Sequence, residues 1–394
     1  MRSSPLFLPS LRLRLLLVGC ALAVVSLLYL PLPLLPSLTK QYGQQATRLV
    51  SFYGFSYAIG FLVFGPLSDY VGRQRIMVMG LALLSVVTLA MVFAPTFELL
   101  LLGRGIQGFI AASFPPVVIA YLAERGSVSE RTWGVALLST AALLAGVVGQ
   151  TYGLSVAISG RLTLSLLPLC LIYLITALAL FKVPNERMTH SPHDRFFHQY
   201  RFITQLLMHR SLRRVYVPAC LLLMSFVAFY ILLDLHLRAV LLTHGLSVLM
   251  ARIIIFPAFF MPLVMVRFAA TWSTQQSLAT GLGLTVLGLM MAAWANSTHI
   301  GFLLFSSFVF VAGIGISIPS LITQIAVVAA PERRGLAIAL YTFFLFVGAG
   351  LGPVLVHSII NLSLGKSYAV LASLMALASI YATWGFLIKR NQGN

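Results

Sequence analysis

Acidic residues are almost missing: there are 8 Asp and Glu in 394 residues, against 26 Lys and Arg. Charged residues of both signs make up only 9% of the chain, while 60% is hydrophobic. A soluble domain carries about 25% charged residues to face water, so this balance excludes one. Cysteine is scarce as well. Cys20, Cys170 and Cys220 all fall inside apolar runs, which excludes a disulfide framework and reads as packing. There is no phosphate-loop glycine pattern, no nucleophile–base–acid cluster and no metal-ligand spacing. The chain therefore offers no residues for catalysis, for hydrolysing a nucleotide or for holding a metal, and no catalytic or metal residue is assigned.

What the chain does have is apolar runs of about 20 residues, the length a helix needs to cross a bilayer. A transmembrane barrel would alternate apolar and polar residues over about 10 positions instead. Twelve spans can be drawn, at 13–35, 48–68, 76–95, 98–121, 132–156, 162–182, 214–236, 246–267, 275–295, 300–328, 335–360 and 366–388. The first follows Arg12 and Arg14, lacks a small-residue cleavage site and runs into Tyr29-Leu-Pro-Leu-Pro-Leu-Leu-Pro36, so it is expected to be retained and not removed as a signal peptide.

The net charge of +18 resembles that of a nucleic-acid binder. Its distribution says otherwise. Nineteen of the 26 Lys and Arg fall in the two tails and one alternating set of connections, six in the other set, and Arg104 inside a span. That asymmetry predicts cytoplasmic termini and a cytoplasmic central loop, with a lipid bilayer and not nucleic acid as the partner.

The loop, 183–213, is the one long hydrophilic connection, and it divides the chain into a first bundle, 1–182, and a second, 214–394. Phe196, Phe197, Tyr200, Ile203, Leu206 and Leu207 recur in it at helical spacing, which suggests an amphipathic helix on the inner leaflet. An internal repeat supports the division. Glu130-Arg131 and Gly134 open span 5 as Glu332-Arg333-Arg334-Gly335 opens span 11. Gly149 then answers to Gly350, and Ser113-Phe-Pro115 to Ser317-Ile-Pro319.

Several polar residues interrupt the apolar runs. Arg104, in Leu101-Leu-Gly-Arg104-Gly-Ile-Gln107-Gly108, costs about 2.5–3.5 kcal/mol at a bilayer centre and needs a polar cavity or a partner. Gln107 lies one turn away on the same face. Asp234, in Phe229-Tyr230-Ile-Leu-Leu-Asp234, is an acid in an apolar setting, fit for proton exchange, with Tyr230 one turn earlier; an interfacial pair with Arg238 is an equal alternative. Tyr29, Tyr53, Tyr57, Gln150, Gln324 and Tyr341 are candidate cavity walls, although helix packing accounts for any one of them as well.

Between spans 2 and 3 stands Gly65-Pro-Leu-Ser-Asp69-Tyr-Val-Gly72-Arg73-Gln-Arg75. This string resembles the signature joining helices 2 and 3 of the major facilitator superfamily, and the Arg104 segment resembles that family's span-4 motif. The Tyr29-Leu-Pro31 run, taken with Gly65-Pro-Leu-Ser-Asp69, is similar to the bicyclomycin- and chloramphenicol-exporter group of the twelve-span drug:proton antiporter branch. The resemblance implies an all-α membrane protein of twelve helices in two pseudo-symmetric six-helix bundles. It implies a proton-coupled exporter of small amphipathic or anionic compounds, monomeric, in a bacterial inner membrane, driven by the proton gradient and without a bound cofactor. It assigns Gly65, Asp69, Gly72, Arg73 and Arg75 to a conformational latch facing the start of span 11, and Arg104 to proton coupling and substrate binding. Movement of a carboxylate-rich solute such as a siderophore, passive facilitation, and a receptor or scaffold that transports nothing remain as alternatives.

Overall fold

The structure, a computed structural model, describes residues 10–159, 166–183, 196–243, 245, 250, 255–268, 271–295, 300–330, 333–359 and 361–391. All secondary structure among the described residues is helical. Among the described residues ten helices are long and apolar enough to cross a membrane, and two shorter apolar helices, Leu167–Phe181 and Phe256–Val266, lie where spans 6 and 8 are drawn. The sequence before each of those two, 160–165 and 246–249 with 251–254, is outside the described residues.

Span boundaries follow local chemistry. The helix of span 1, Leu11–Tyr29, gives way to a 3-10 turn at Leu32–Leu34 and a short helix at Leu35–Tyr42. Pro31 and Pro33 carry no N–H to continue the α ladder. Span 4 is broken in the same way. Phe97–Ala111 is followed by a tight turn and then by Pro115–Ala123, with Pro115 and Pro116 in the first turn of the second piece. The junction of spans 2 and 3 is tighter than the sequence suggests. The helices run Arg48–Val71 and Arg73–Val92, so Gly72 alone makes the turn. Its φ of 107° is open only to glycine at low cost. Gly65 lies within the span-2 helix, and Asp69 and Arg73 are helical residues on either side of the turn.

The chain forms two compact units. One takes Met1–Gln205 with Ala330–Phe343, the other Leu206–Ala329 with Phe344–Asn394. The beginning of span 11, Arg334–Ile359, therefore belongs to the first unit and its remainder to the second. In the first unit span 1 packs on span 5, span 2 on span 4 and span 3 on span 6. In the second, span 9 packs on spans 10 and 12, and span 7 on spans 10 and 12.

Small residues set these contacts, and they repeat between the units. A methyl added at Gly80 would strike the Ser113 hydroxyl, and one at Gly281 the Ser317 hydroxyl. Gly149 and Gly153 lie against the carbonyls of Ser26 and Leu30, as Gly348 and Gly352 lie against Cys220 and the Val227 side chain. Gly350, the sequence-based counterpart of Gly149, is exposed, and a methyl added there would meet nothing within 4 Å. The residue that does the equivalent packing is Gly348, two positions earlier.

Candidate functional site

Arg104 is 4% exposed, and every nitrogen of its guanidinium has a partner. Nε donates to the Leu49 carbonyl at 3.2 Å, Nη2 to the Leu27 carbonyl at 3.0 Å, and Nη1 to Gln107 Oε1 at 2.7 Å. The guanidinium carbon also stands 4.2 Å from the centre of the Tyr53 ring. Gln107 passes the chain on, donating from Nε2 to Thr88 Oγ1 at 2.9 Å. One buried cation thereby ties spans 1, 2, 3 and 4 together through dipoles and a π face.

Hydrogen bonds from a charged donor are each worth about 1.5–3 kcal/mol. Three of them plus a cation–π contact offset a cost of about 2.5–3.5 kcal/mol for an arginine in the membrane. Among the described residues Arg104 meets no carboxylate. A guanidinium has five N–H groups, so two remain beyond the three hydrogen bonds. Arg104 also borders a narrow, almost wholly apolar space with Leu30, Pro31, Leu49, Met91, Leu100 and Leu166, with room for about one water.

The aromatic candidates of the first unit gather nearby. Tyr53 and Tyr57 are fully buried with ring centres 5.4 Å apart, and the Tyr53 hydroxyl donates to the Val24 carbonyl at 3.3 Å. Tyr29 is half-buried against Gly146 and Gly149 of span 5. Gln150 turns back on its own helix, donating to the Gly146 carbonyl at 2.9 Å. Two members of the network escaped the sequence reading: Thr88, and Tyr173 of span 6, whose hydroxyl donates to the Ala23 carbonyl at 3.3 Å. Both are polar residues within apolar runs, which is the signal that would have found them.

In the second unit Tyr230 is buried and shares a 3.2 Å hydrogen bond with Ser307 of span 10. Asp234 falls one turn later on the same helix, Arg210–Thr243, but its side chain is outside the described residues. The Gln324 amide nitrogen, in the second unit, is buried and has no hydrogen-bond partner among the described residues; the same holds for the Tyr341 hydroxyl, in the first.

The loop residues form a compact ion network in the first unit. Arg73 grips Glu124 with two parallel bonds, Nε to Oε2 at 2.8 Å and Nη2 to Oε1 at 2.6 Å. Its Nη2 also reaches Asp69 Oδ1 at 3.2 Å. The Asp69 carboxylate lies against Gly335 at the start of span 11, where a Cβ would collide with both oxygens. Gly65 packs in the same manner on Ala339. Gln74 donates to the Leu180 and Val183 carbonyls at 2.9 and 2.8 Å, fixing the end of span 6. Arg75 is exposed. Glu124 is the member of this ion network that the sequence reading missed. As one of only 8 acids, at the end of span 4 nearest this junction, it was findable by asking what each acid pairs with.

The chain can be compared with known proteins on this basis. A family model described as the Major Facilitator Superfamily matches residues 15–353. The inner membrane transport protein YnfM of Escherichia coli (strain K12) is 30% identical over 152 residues, 38% of this chain and 36% of the relative. An uncharacterized MFS-type transporter, YybF of Bacillus subtilis (strain 168), is 36% identical over 102 residues, 25% of each chain. The chain thus spans between a quarter and two fifths of the length of these curated relatives.

Among solved structures, the E. coli fucose:proton symporter FucP superposes with a TM-score of 0.76 at 15% identity, covering 95% of this chain and 98% of that one. The human organic anion transporter MFSD10 gives 0.71 at 18% identity, covering 95% and 100%. At such identities the likeness is one of fold. The family match supplies the rest, because it runs from span 1 into span 11: the chain is an integral multi-pass membrane protein and belongs to the major facilitator superfamily of transporters.

Proposed function

We propose that this transporter is a proton-coupled exporter of small amphipathic or anionic compounds, of the twelve-span drug:proton antiporter type. In this reading it is a monomer in the bacterial inner membrane with both termini cytoplasmic. Two bundles, 1–182 and 214–394, expose a central site alternately to either side, while 183–213 stays cytoplasmic. Arg104 and Gln107 receive the substrate, Asp234 carries the proton, and the uncharged intruders Tyr29, Tyr53, Tyr57, Gln150, Tyr230, Gln324 and Tyr341 shape the walls. Gly65, Asp69, Gly72, Arg73 and Arg75 work as the latch, with Glu124 holding Arg73.

The observation that carries this reading is the state of Arg104. A buried cation that meets no carboxylate among the described residues, with two N–H groups beyond its three hydrogen bonds, suits an anionic head; the apolar space beside it, against Leu30, Leu49, Met91, Leu100 and Leu166, has room for about one water in this structure and would widen to take the apolar part of such a compound.

The test begins with thermal-shift screening of the purified protein against amphipathic anions, cations and neutral compounds. Hits pass to liposome flux under an imposed pH gradient. Anionic hits are expected, with binding abolished by Arg104→Gln and weakened about tenfold or more by Arg104→Lys, which keeps the charge but loses the planar fork. Equal binding of anions by Arg104→Gln would reject the assignment.

A further inference from the structure

The central loop carries a helix at Phe196–Met208, and only His209 separates it from the span-7 helix, Arg210–Thr243. Arg333 holds this linker helix to the start of span 11. Arg333 directly precedes the span-11 helix, Arg334–Ile359. Its guanidinium carbon stands 3.8 Å from the centre of the Phe202 ring, and its Nη1 donates to Gln205 Oε1 at 3.2 Å. Phe202 and Gln205 are three residues apart, hence on one face of the linker helix. Two residues beyond Arg333, Gly335 lies against the Asp69 carboxylate. The opening of span 11 is therefore engaged twice within three residues, by the linker helix and by the junction of spans 2 and 3. An arginine placed only for membrane orientation needs no partner, whereas Arg333 has a ring and an amide from the same helix.

We propose that Arg333 is a grip that makes the linker helix a strap on the latch. The inference rests on the latch reading above. With a single residue between the linker helix and span 7, a displacement of the start of span 7 passes along the chain into the linker helix, and through Phe202 and Gln205 to Arg333. The latch then parts only when the linker helix lets go of span 11 or travels with it. The strap thus favours the latched state, and substitutions that loosen it shift the population toward the open one.

The test needs no substrate. The probe is N-ethylmaleimide, acting on detergent-purified full-length protein with Cys20, Cys170 and Cys220 replaced by alanine and a reporter cysteine at the buried position Gln324. Phe202→Ala, Gln205→Ala and Arg333→Gln should each raise the labelling rate about twofold to fivefold, the range a cation–π or amide contact of this exposure supports. Phe202→Ala combined with Arg333→Gln should do no more than Arg333→Gln alone, since both break one contact. Additive effects would overturn the strap, because Arg333 would then act through another partner. Unchanged rates in the strap variants, with a raised rate in Asp69→Asn, would overturn the strap and leave the latch standing. Unchanged rates in Asp69→Asn as well would overturn both. As a second measurement, cysteines at Gln205 and Arg333 should cross-link with a short bismaleimide, and failure to link would overturn the contact itself.

Discussion

Arg73 divides its guanidinium between two acids, and the division is unequal. Glu124 takes the parallel two-bond geometry at 2.6 and 2.8 Å, while Asp69 is reached by one nitrogen at 3.2 Å and lies against Gly335. Glu124 therefore aims Arg73, and Arg73 supplies charge to Asp69. The Glu124 side chain is 27% exposed and that of Arg73 11%, so the pair is worth less than a fully buried one. Glu124→Gln should cost about 1–2 kcal/mol of stability, and nearly nothing when Arg73→Gln is already present. A double-mutant cycle on thermal or denaturant unfolding measures this; independent, additive losses would mean that the two residues do not work as a pair. The Asp69 side of the network was legible in the sequence because its motif is contiguous. Glu124 was harder to find, since its partner is 51 residues away; the scarcity of acids in the chain, and not the local string around it, is what points to an ion pair.

Helix contacts show how far counting along a chain can take a structural reading. The internal repeat correctly places small residues in spans 5 and 11, and it pairs Ser113 with Ser317, each of which sits under a glycine of the preceding span. It misplaces one glycine. Counting from Gly134 and Gly335 selects Gly350, yet helical phase turns Gly350 away from the protein and brings Gly348 onto the Cys220 carbonyl. Two residues amount to about 200° around a helix, enough to move from contact to open space. This gives a paired prediction within one helix. Gly348→Ala should lower the melting temperature by several degrees, because backbone at Cys220 cannot step aside as a flexible side chain can, and overpacking costs about 1–3 kcal/mol. Gly350→Ala should leave it unchanged or raise it slightly, since alanine is the better helix former by about 0.8–1.0 kcal/mol. Scanning fluorimetry on the two variants decides it, and equal effects would contradict the packing described here.

At the scale of the whole molecule, composition and charge asymmetry made the class of protein plain, and the family match confirms membership. What sequence patterns could not supply is how the buried polar groups are satisfied. Besides Gln107 and the Tyr53 ring, Arg104 finds two partners in the main-chain carbonyls of Leu27 and Leu49, and carbonyls leave no trace in a sequence. This matters for coupling. With Arg104 held by protein dipoles, the proposed coupling places the proton on a different group, and Asp234 is the acid drawn inside a span, one turn beyond Tyr230, which is bonded to span 10. A neutral amide at that position cannot take up or release a proton. Asp234→Asn should then keep substrate-for-substrate exchange, which moves no net protons, and lose accumulation driven by a pH gradient across the liposome. Both are measured on one preparation with a radiolabelled compound taken from the thermal-shift screen. If the variant accumulates the compound as the parent does, the proton travels elsewhere. If the parent also fails to respond to the gradient while still exchanging, the protein is a passive facilitator, and the cation at Arg104 serves recognition alone.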